Sequence, residues 1–531
     1  MQNKSSRIVG VAIPKPLETI FDYQVPASTT MPGLGSRLRV PFGKGELIGI
    51  CVETKSVSDA GQLREITEIV DNESLVSADL LDLALWMAKY YHHPIGEPLF
   101  STIPPDIRKG KPAKLDKPKC WTINSSNPPT GRAPKQKSLY ELIEQRPGIS
   151  SEEISTAGFS LNTIQTLEKD GRVKAIEPIQ NEANQKSIDL NAEQKRALKA
   201  LNDRGPGYEC FLLDGITGSG KTEVYLQAME SVIRSGRQAL VLVPEISLTP
   251  QTYQRFSNRF PKTGLMHSGI SNHNNLQTWL KCKEGKIDCL VGTRSAIFAP
   301  FQNLGIIIVD EEHDSSYKQQ EGLKYSARDV AVKRASQKKI PIILGSATPS
   351  VESINNVQNG KYSLLTLRTK ADNTRLPSHQ IVDLSNGKVI DGFSSKTLAA
   401  ITKHLSKQNQ AMIFINKRGF ARALFCPYCG WKASCIRCEA RTTVHTSPDL
   451  LICHYCGWKE RLKTQCPECQ NPDLISLGQG TQKLESSLGE HFPQTPIFRI
   501  DRDSTRSQNQ FAKTLKDINT GKPCISVGPQ M

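Results

Sequence analysis

The chain has 531 residues, of which 37% are hydrophobic, and a formal net charge of +16. This length predicts three or four domains. No run of 18 apolar residues occurs, which excludes an ordinary membrane-spanning helix, and the apolar run at 8–13 is too short for a signal peptide. We therefore expect a cytoplasmic protein with no membrane partner. Its basic charge favours a polyanion such as nucleic acid, although a merely soluble basic protein would have the same charge.

Residues 1–108 are predicted to form a small β-rich, barrel-like domain. Short strand-like runs at 7–13, 36–40 and 47–52 are separated by turns rich in glycine and proline, and an amphipathic helix is expected over 80–91. The segment 109–136 is rich in proline, lysine, asparagine and serine, which is typical of a linker.

Residues 137–180 have the pattern of a winged helix. Helices are predicted over 137–145, 151–157 and 162–169, and the second is preceded by the capping-box spacing of Ser150 and Glu153. A strand is predicted over 172–176. This arrangement often binds DNA, but a plain three-helix packing unit fits the sequence nearly as well.

From residue 190 onward, short apolar runs alternate with helical segments. This pattern predicts strands buried on both faces of a parallel sheet, with helices as right-handed crossovers. The predicted fold class is therefore α/β. A first lobe is expected over 190–367 and a second over 375–531, where 412–415 is the clearest strand.

A phosphate loop is predicted at residues 215–222, which have the sequence Gly-Ile-Thr-Gly-Ser-Gly-Lys-Thr. An apolar strand precedes it and a helix follows. The backbone N–H groups at Gly215, Gly218 and Gly220 are expected to surround phosphate oxygens at a helix N-terminus. Lys221 would reach the β- and γ-phosphates and Thr222 would hold Mg²⁺. The predicted cofactors are ATP and Mg²⁺.

Acidic residues follow the apolar strand at 306–309. Asp310 is predicted to hold Mg²⁺ through water, and Glu311 to orient the attacking water. His313 would link the nucleotide site to neighbouring segments, and the hydroxyl groups of the Gly-Ser-Ala-Thr segment at 345–348 suit a hydrogen-bonded relay. Gln194, upstream of the loop, is placed to contact adenine.

The phosphate loop, Asp-Glu-Glu-His and Gly-Ser-Ala-Thr, in this order, resemble a superfamily 2 helicase. Further segments resemble the primosomal protein N-prime (PriA) family of bacterial replication-restart helicases. These segments, with the cysteine cluster, are 21–23, 91–96, 243–251, 291–296, 310–319 and 416–420. The resemblance implies two RecA-like motor lobes and an ATP-dependent 3′→5′ DNA helicase that recognises forks and initiates primosome assembly.

The resemblance also implies partners and DNA contacts. Residues 1–108 would hold the 3′ end of the nascent leading strand, and 317–328 would couple DNA contact to ATP hydrolysis through an aromatic, basic loop. Stacking of bases on an aromatic side chain there is physically reasonable. Primosome proteins and single-stranded DNA-binding protein are the expected protein partners. The expected DNA contacts are Phe21, Asp22, Thr293, Arg294, Tyr317, Lys318 and Arg328.

Eight of the 14 cysteines form four C-x-x-C pairs between residues 426 and 469. In a cytosolic protein they are expected to be metal ligands rather than disulfides, and eight thiolates can make two tetrahedral Zn²⁺ sites. The 14-residue spacing between the middle pairs predicts one site from those and a second from the outer pairs. The family resemblance gives the same nesting. Sharing between neighbouring pairs and an iron–sulfur cluster are alternatives. The pairs are Cys426/Cys429, Cys435/Cys438, Cys453/Cys456 and Cys466/Cys469.

The second lobe is expected to be truncated. Where the family continues from Gly-Thr-Gln-Met toward a Gly-Arg-Ala-Gly-Arg motif, this chain has Gly-Pro-Gln-Met at 528–531. Loss of an arginine that completes the ATP site can cost ~10³–10⁵ in rate. The alternative function is therefore a DNA- and zinc-binding remnant that binds forks without productive unwinding. A third class, a type I restriction or chromatin-type translocase, would not explain the cysteines.

Overall fold

The structure is a computed structural model. It describes residues 7–71, 73–116, 120–125, 127–129, 133–176, 188–244, 250–372, 377–383, 389–390, 393–415, 423–446, 449–453, 455–477, 481–500 and 514–529. The chain divides into two compact units, Met1–Arg375 and Leu376–Met531. This division agrees with the second α/β stretch predicted from the sequence. Within the described ranges, no helix combines the length and the apolar character needed to cross a bilayer.

The N-terminal region is a five-stranded antiparallel sheet in the order β2-β1-β4-β3-β5. Its core is built from alternating apolar side chains such as Val9, Val11 and Leu38. Backbone hydrogen bonds join Gln24 of β2 to the segment that leads into β5, so the sheet curls as the predicted barrel-like form requires. The strands are β1 (Ile8–Ala12), β2 (Phe21–Gln24), β3 (Arg37–Phe42), β4 (Gly45–Lys55) and β5 (Glu68–Ile69).

Three helices follow and share a hydrophobic core with the first motor lobe. They are α1 (Ala78–Tyr90), α2 (Gly96–Ser101) and α3 (Pro105–Arg108). The indole N–H of buried Trp279 donates to the carbonyl of Thr102 at 3.2 Å, and buried Arg334 pairs with Asp79 of α1 at 3.1 Å. The helical part of the N-terminal region is therefore bound firmly to the lobe.

The region predicted as a winged helix contains three helices and a three-stranded sheet in the order β7-β6-β8. The capping box is confirmed, because the N–H of Ser150 donates to the Glu153 carboxylate at 2.8 Å and the N–H of Glu153 donates to the Ser150 hydroxyl at 3.1 Å. The elements are β6 (Cys120–Ile123), α4 (Pro134–Gln145), β7 (Ile149–Ser150), α5 (Ser151–Thr156), α6 (Leu161–Lys169) and β8 (Val173–Ile176).

The linker predicted over 109–136 is wrong at β6, which forms the central strand of this small sheet. Its Trp121 is buried, and the indole N–H donates to the hydroxyl of Ser151 at 2.9 Å. The average composition of 109–136 is typical of a linker and gives no sign that Trp121 is buried. Helix α4 also begins three residues before its predicted start, at Pro134, because proline is favoured in the first helical turn.

The first motor lobe is a seven-stranded parallel sheet in the order β11-β12-β10-β13-β14-β9-β15. The central strands are almost completely buried, as the continuous apolar runs predicted. The two strands that were not predicted, β11 and β15, lie at the sheet edges and are only partly buried. The strands are β9 (Cys210–Gly215), β10 (Gln238–Leu242), β11 (Thr263–Met266), β12 (Cys289–Gly292), β13 (Leu304–Val309), β14 (Ile342–Ser346) and β15 (Ser363–Leu367).

The helices of this lobe alternate with its strands, as a parallel sheet requires. They are α7 (Ala192–Asp203), α8 (Lys221–Arg234), α9 (Pro250–Arg259), α10 (Asn272–Lys283), α11 (Ala327–Lys338) and α12 (Val351–Gln358). Two short 3₁₀ segments, Arg294–Phe298 and Ser315–Tyr317, follow β12 and β13. The carboxyl ends of β9, β10, β12, β13 and β14 therefore lie at one edge of the sheet.

The second unit contains a three-stranded parallel sheet in the order β18-β25-β24, so the strand predicted over 412–415 is confirmed. The cysteine-rich segment forms separate antiparallel ladders. The elements are β16 (Val389–Ile390), β17 (Phe393–Ser394), α13 (Ser395–Ser406), β18 (Ala411–Ile415), β19 (Ala423–Phe425), β20 (Thr443–Thr446), β21 (Asp449–Ile452), β22 (Lys459–Arg461), β23 (Ile475–Leu477), α14 (Thr481–His491), β24 (Ile497–Arg499) and β25 (Ile525–Pro529).

Candidate functional site

The predicted phosphate loop has the expected strand–loop–helix geometry. Strand β9 ends at Gly215 and α8 begins at Lys221. Gly218 and Gly220 have φ values of +81° and +80°, a backbone conformation that side chains with a Cβ rarely adopt. The ammonium group of Lys221 donates to the carbonyl of Gly215 at 2.9 Å, across the mouth of the loop. The backbone N–H groups of the loop can therefore face a phosphate group.

The surroundings of Ser219 and Thr222 show whether the loop fits a phosphate group. The hydroxyl oxygen of Ser219 is buried and has no hydrogen-bond partner among the described residues. A buried hydroxyl without a partner is costly unless a ligand or water satisfies it. Thr222 is half-buried in the first turn of α8, where the helix N-terminus favours anions. These residues fit a nucleotide phosphate with its Mg²⁺.

Gln194 is buried against the phosphate loop, with both ends of its amide in contact with the protein. Its oxygen accepts from the N–H of Asn191 at 2.9 Å, and its Nε2 donates to the carbonyl of Ser219 at 2.8 Å. A Cβ on Gly220 would lie 2.3 Å from this Nε2. Gln194 therefore supports the loop, and one Nε2 hydrogen and one lone pair of its oxygen remain for adenine.

Asp310 and Glu311 stand at the carboxyl end of β13, as predicted. The Tyr225 hydroxyl donates to the Asp310 carboxylate at 3.1 Å. Burial raises the pKa of Asp310, the neighbouring charge of Glu311 raises it further, and the Tyr225 hydrogen bond acts in the opposite direction. Glu311 has φ +46°, which is uncommon for a residue with a side chain and frequent at functional sites.

His313 contacts the hydroxyl groups of the segment at 345–348. Its Nδ1 lies 2.8 Å from the Ser346 hydroxyl, its Nε2 lies 3.4 Å from that of Thr348, and a Glu311 carboxylate oxygen lies 3.7 Å from Nδ1. The imidazole thus joins the two loops in the way that the predicted relay requires. Its role in catalysis stays a prediction.

Sequence reasoning missed two buried residues near this site, Tyr225 and Glu312. The Glu312 carboxylate accepts from the N–H of Ser350 at 2.7 Å and pairs with Arg328 at 3.1 Å, so it binds the start of α12 to the loop after β13. The spacing of Tyr225, four residues after Lys221 on α8, places both residues on one helix face and was the available signal.

The loop over 317–328, expected to couple DNA contact to ATP hydrolysis, has its two tyrosines inside the protein, and its coupling role stays a prediction. Tyr317 and Tyr325 are both buried, so neither can stack on a base. The Tyr317 hydroxyl lies 2.6 Å from the Asp310 carbonyl and 3.0 Å from that of Leu242, and it therefore supports the backbone that carries Asp310. The family resemblance implied this loop, but packing decided the direction of the rings.

The other residues of the first motor lobe that are expected to contact DNA are largely engaged with groups of the same chain. Arg328 pairs with Glu312 and with Asp329, the latter at 3.0 Å. Arg294 donates to the carbonyl of Ser316 at 3.1 Å. Lys318 is exposed, with its ammonium group 5.4 Å from the centre of the Tyr91 ring. Thr293 is buried at the end of β12. Of the four, Lys318 remains the most available to a phosphate.

Phe21 and Asp22 lie on β2 of the N-terminal sheet. The Phe21 ring packs edge-on against Phe42, with ring centres 5.4 Å apart. The Asp22 carboxylate accepts from the Lys55 ammonium at 2.9 Å and from the Ser58 hydroxyl. A DNA 3′ hydroxyl would have to join this existing network, so the predicted pocket stays a prediction.

The eight paired cysteines form two quartets. One contains Cys426, Cys429, Cys466 and Cys469, and the other contains Cys435, Cys438, Cys453 and Cys456. Within each quartet the four sulfur atoms all lie within 4.8 Å of one another, and the close sulfur pairs are 3.5 Å apart. Zn–S bonds of about 2.3 Å in a tetrahedron give S···S distances near 3.8 Å. The nested arrangement is confirmed, and sharing between neighbouring pairs is excluded.

Some predicted segments lie outside the described residues. These are 245–249 of the segment 243–251, the segment 416–420, residues 177–180 of the predicted winged helix, and residues 530–531.

Three family models match the chain. The model of the PriA 3′ DNA-binding domain matches 10–104, the DEAD/DEAH box helicase model matches 191–357, and the model of the PriA DNA helicase Cys-rich region matches 435–461.

Curated relatives match nearly the whole chain. The replication restart protein PriA of Haemophilus influenzae is 38% identical over 99% of this chain and 74% of its own length, and that of Bacillus subtilis is 33% identical over 97% and 75%. Among solved structures, RecG bound to a three-way DNA junction is 17% identical over 64% of this chain and 36% of its own, with a TM-score of 0.35 that supports no conclusion. The chain therefore belongs to the replication restart protein PriA family of ATP-dependent DNA helicases.

Proposed function

We propose that this chain uses ATP hydrolysis to unwind branched DNA with 3′→5′ polarity at stalled or repaired replication forks, and that it initiates primosome assembly there. The observation that carries the proposal is the phosphate loop, with its unpartnered Ser219 hydroxyl, joined to Asp310 through the Tyr225 hydrogen bond. Membership of the PriA family supports the restart context.

Lys221, Thr222 and Asp310 would hold the nucleotide and its Mg²⁺. The metal ion, when bound, neutralises charge on the phosphates. Lys221 would leave its contact with the Gly215 carbonyl for a phosphate oxygen, and Glu311 would orient water. His313 would transmit the state of the site to Ser346 and Thr348.

The two cysteine quartets would each hold one structural Zn²⁺. Four thiolates fill every position of a tetrahedral site, which leaves none for a reacting water. The metal ions would therefore stabilise the fold of this segment and take no part in a reaction.

We propose the following domain roles. Residues 1–108 bind the 3′ end of the nascent leading strand through Phe21 and Asp22, and the winged helix ends near 180 but begins at β6 rather than at 137. Residues 190–367 form the first motor lobe, and 375–531 form the second with its insertion at 426–469. The partners are forked DNA, primosome proteins and single-stranded DNA-binding protein, and the location is the cytoplasm, in association with the nucleoid.

The test is ATP hydrolysis by the full chain with forks that carry or lack a 3′ end at the branch. We expect stimulation to be greater with the 3′ end. Lys221→Ala should lower the rate by at least ~10²-fold, because a charged group at the transferring phosphate is lost. Lys199→Ala, an exposed lysine of α7, is the matched control and should stay within about twofold of the unmodified chain.

Three results would contradict the proposal. Equal hydrolysis by the unmodified chain and by Lys221→Ala would show that the phosphate loop is not the motor site. Absence of any preference for the 3′ end would contradict the assignment to the N-terminal domain. Intact fork binding without hydrolysis would favour the DNA- and zinc-binding remnant.

A further inference from the structure

The side chain that holds the Asp310 carboxylate comes from α8, the helix that follows the phosphate loop. Tyr225, on α8, is 1% exposed, and its hydroxyl donates to an Asp310 carboxylate oxygen at 3.1 Å. The same helix carries Lys221 and Thr222 in its first turn. One rigid element therefore contacts both halves of the predicted nucleotide site.

The phenol oxygen is the one polar atom of the Tyr225 side chain. The Tyr225 ring belongs to an apolar core that a phenylalanine ring would fill equally well. A buried hydroxyl costs about 1–3 kcal/mol unless it is hydrogen-bonded. The Asp310 carboxylate satisfies that requirement, so this contact explains why the position holds a tyrosine.

Gly345 provides the space for this oxygen. A Cβ at Gly345 would lie 1.6 Å from the Tyr225 hydroxyl oxygen and 2.7 Å from the ring carbon that bears it. Even alanine is therefore excluded while Tyr225 keeps its position. Gly345 opens the Gly-Ser-Ala-Thr segment, so the glycine of that segment and the tyrosine of α8 form one steric unit beside Asp310.

The backbone of Asp310 is fixed independently of Tyr225. Its N–H donates to the carbonyl of Leu242 at 2.9 Å, and its carbonyl lies 2.6 Å from the Tyr317 hydroxyl. With the backbone fixed, the remaining freedom is rotation of the side chain. The Tyr225 hydrogen bond limits that rotation.

We infer that Tyr225 is a positioning residue that orients the Asp310 carboxylate toward nucleotide-bound Mg²⁺, in a space that Gly345 keeps open. This inference rests on the proposed function, because it assumes that the site binds Mg²⁺-nucleotide. Groups that orient metal ligands typically contribute 10–100-fold to metal affinity or activity.

The test compares Tyr225→Phe with the unmodified full chain. The readout is the affinity for a fluorescent ADP analogue, measured with Mg²⁺ and again with EDTA. We expect the variant to lose about 10-fold in affinity with Mg²⁺ and to stay within twofold with EDTA. The Mg²⁺ concentration that gives half-maximal ATP hydrolysis should rise by a similar factor.

Tyr253→Phe is the matched control. It removes another phenol hydroxyl from the same lobe, one that donates to the carbonyl of Thr263 at 3.1 Å, and should not change the Mg²⁺ dependence. Gly345→Ala is a second variant, since the added Cβ would displace the phenol oxygen and should cause the same Mg²⁺-specific loss.

An unchanged affinity with Mg²⁺ in Tyr225→Phe would overturn the inference. Equal losses with Mg²⁺ and with EDTA would overturn it as well, because they would indicate a general structural role. If the unmodified chain neither binds nucleotide nor hydrolyses ATP, the proposed function itself fails. If the unmodified chain binds nucleotide and hydrolyses ATP, and Tyr225→Phe has the same affinity with Mg²⁺, only this inference is contradicted.

Discussion

The first motor lobe and the cysteine-rich segment are stabilised by different means. In the lobe, the central strands β10, β12, β13 and β14 are buried along their whole length. In the cysteine-rich segment, strands of three or four residues surround a small core. Among the described residues its fully buried apolar side chains are Leu424, Ala433, Val444 and Leu451. A core that small cannot offset the conformational entropy of folding without a further constraint. The lobe therefore folds through apolar burial, and we expect the segment to depend on the Zn²⁺ proposed for its two quartets.

Metal removal should have the largest effect and should separate the two regions. Cys435→Ser, or a strong chelator, should unfold the cysteine-rich segment and leave the lobe intact, because structural Zn²⁺ contributes about 10–16 kcal/mol of apparent binding free energy in zinc-finger peptides. Zinc release measured with a chromogenic chelator, together with mapped proteolytic cleavage, checks this expectation.

Cys51→Ala is the control for zinc content, since Cys51 is a buried thiol of the N-terminal sheet. It should retain two zinc ions per chain. Retention of two zinc ions by Cys435→Ser would contradict the assignment of the quartets.

Asp79→Asn should have the next largest effect, and should act on the first unit only. It removes the carboxylate that pairs with Arg334, whose side chain is 1% exposed. An uncompensated buried charge typically costs about 3–5 kcal/mol. The midpoint of urea unfolding, followed by near-UV circular dichroism, should fall while zinc content remains at two.

The exposed pair of Arg39 and Glu68 is the control, because pairs of this kind contribute less than about 1 kcal/mol. Glu68→Gln should therefore shift the midpoint little. Equal shifts from Glu68→Gln and Asp79→Asn would contradict the importance of the buried pair.

The buried pair of Asp79 and Arg334 predicts a pH dependence of stability. Burial opposes ionisation of Asp79, but the Arg334 charge and the Ser77 hydroxyl outweigh it, so the pKa of Asp79 is lowered in the folded protein. The stabilisation is then fully present above the unfolded value of about 3.9 and is lost as the pH falls through the lower folded value. The difference between the unmodified chain and Asp79→Asn should be the same at pH 7 and pH 5. A smaller difference at pH 5 would contradict this sign.

Asn191→Ala should have a smaller effect, again confined to the lobe. Its side chain accepts from the N–H of Gln194 at 2.9 Å and caps α7. Loss of such a cap costs about 1 kcal/mol. Urea unfolding measures the change, and Asn202→Ala, at an exposed position late in the same helix, should lack it. Destabilisation of both variants to the same extent would argue against the cap.

Tyr455→Ser should have the smallest effect. Tyr455 lies between two metal-binding cysteines but is 87% exposed, so its replacement should change stability by less than about 0.5 kcal/mol. Zinc content should stay at two. Loss of zinc from this variant would show that side chains beyond the eight thiols hold the metal-binding segment together.

Several predictions from the sequence succeeded because their signals are local. The phosphate loop depends on a pattern of consecutive residues at 215–222, and the buried strands depend on short apolar runs. The cysteine pairs depend on a two-residue spacing. The edge strands β11 and β15 were missed because partial burial interrupts the apolar run. Strand β6 was missed because one buried tryptophan lies among linker-like residues.

Other features depend on contacts between distant parts of the chain. Tyr317 was expected to face DNA, but its ring is buried and its hydroxyl lies against the Asp310 carbonyl. Tyr225 was not predicted, because its hydrogen bond to Asp310 joins residues 85 positions apart. No local pattern specifies which way a half-apolar side chain will point when both a solvent face and a polar partner inside the protein are available.

The sequence by itself determined the fold class, the position of the phosphate loop and the identity of the eight thiols that form the two quartets, because each follows from the order and spacing of neighbouring residues. Tertiary structure alone decided how the site is supported, by Gln194 against the loop and by Tyr225 against Asp310 in the space left by Gly345. It also decided the contact of Arg334 with Asp79, which joins α11 to α1. Packing decides these contacts, because a buried polar group must find its partner wherever the fold brings one.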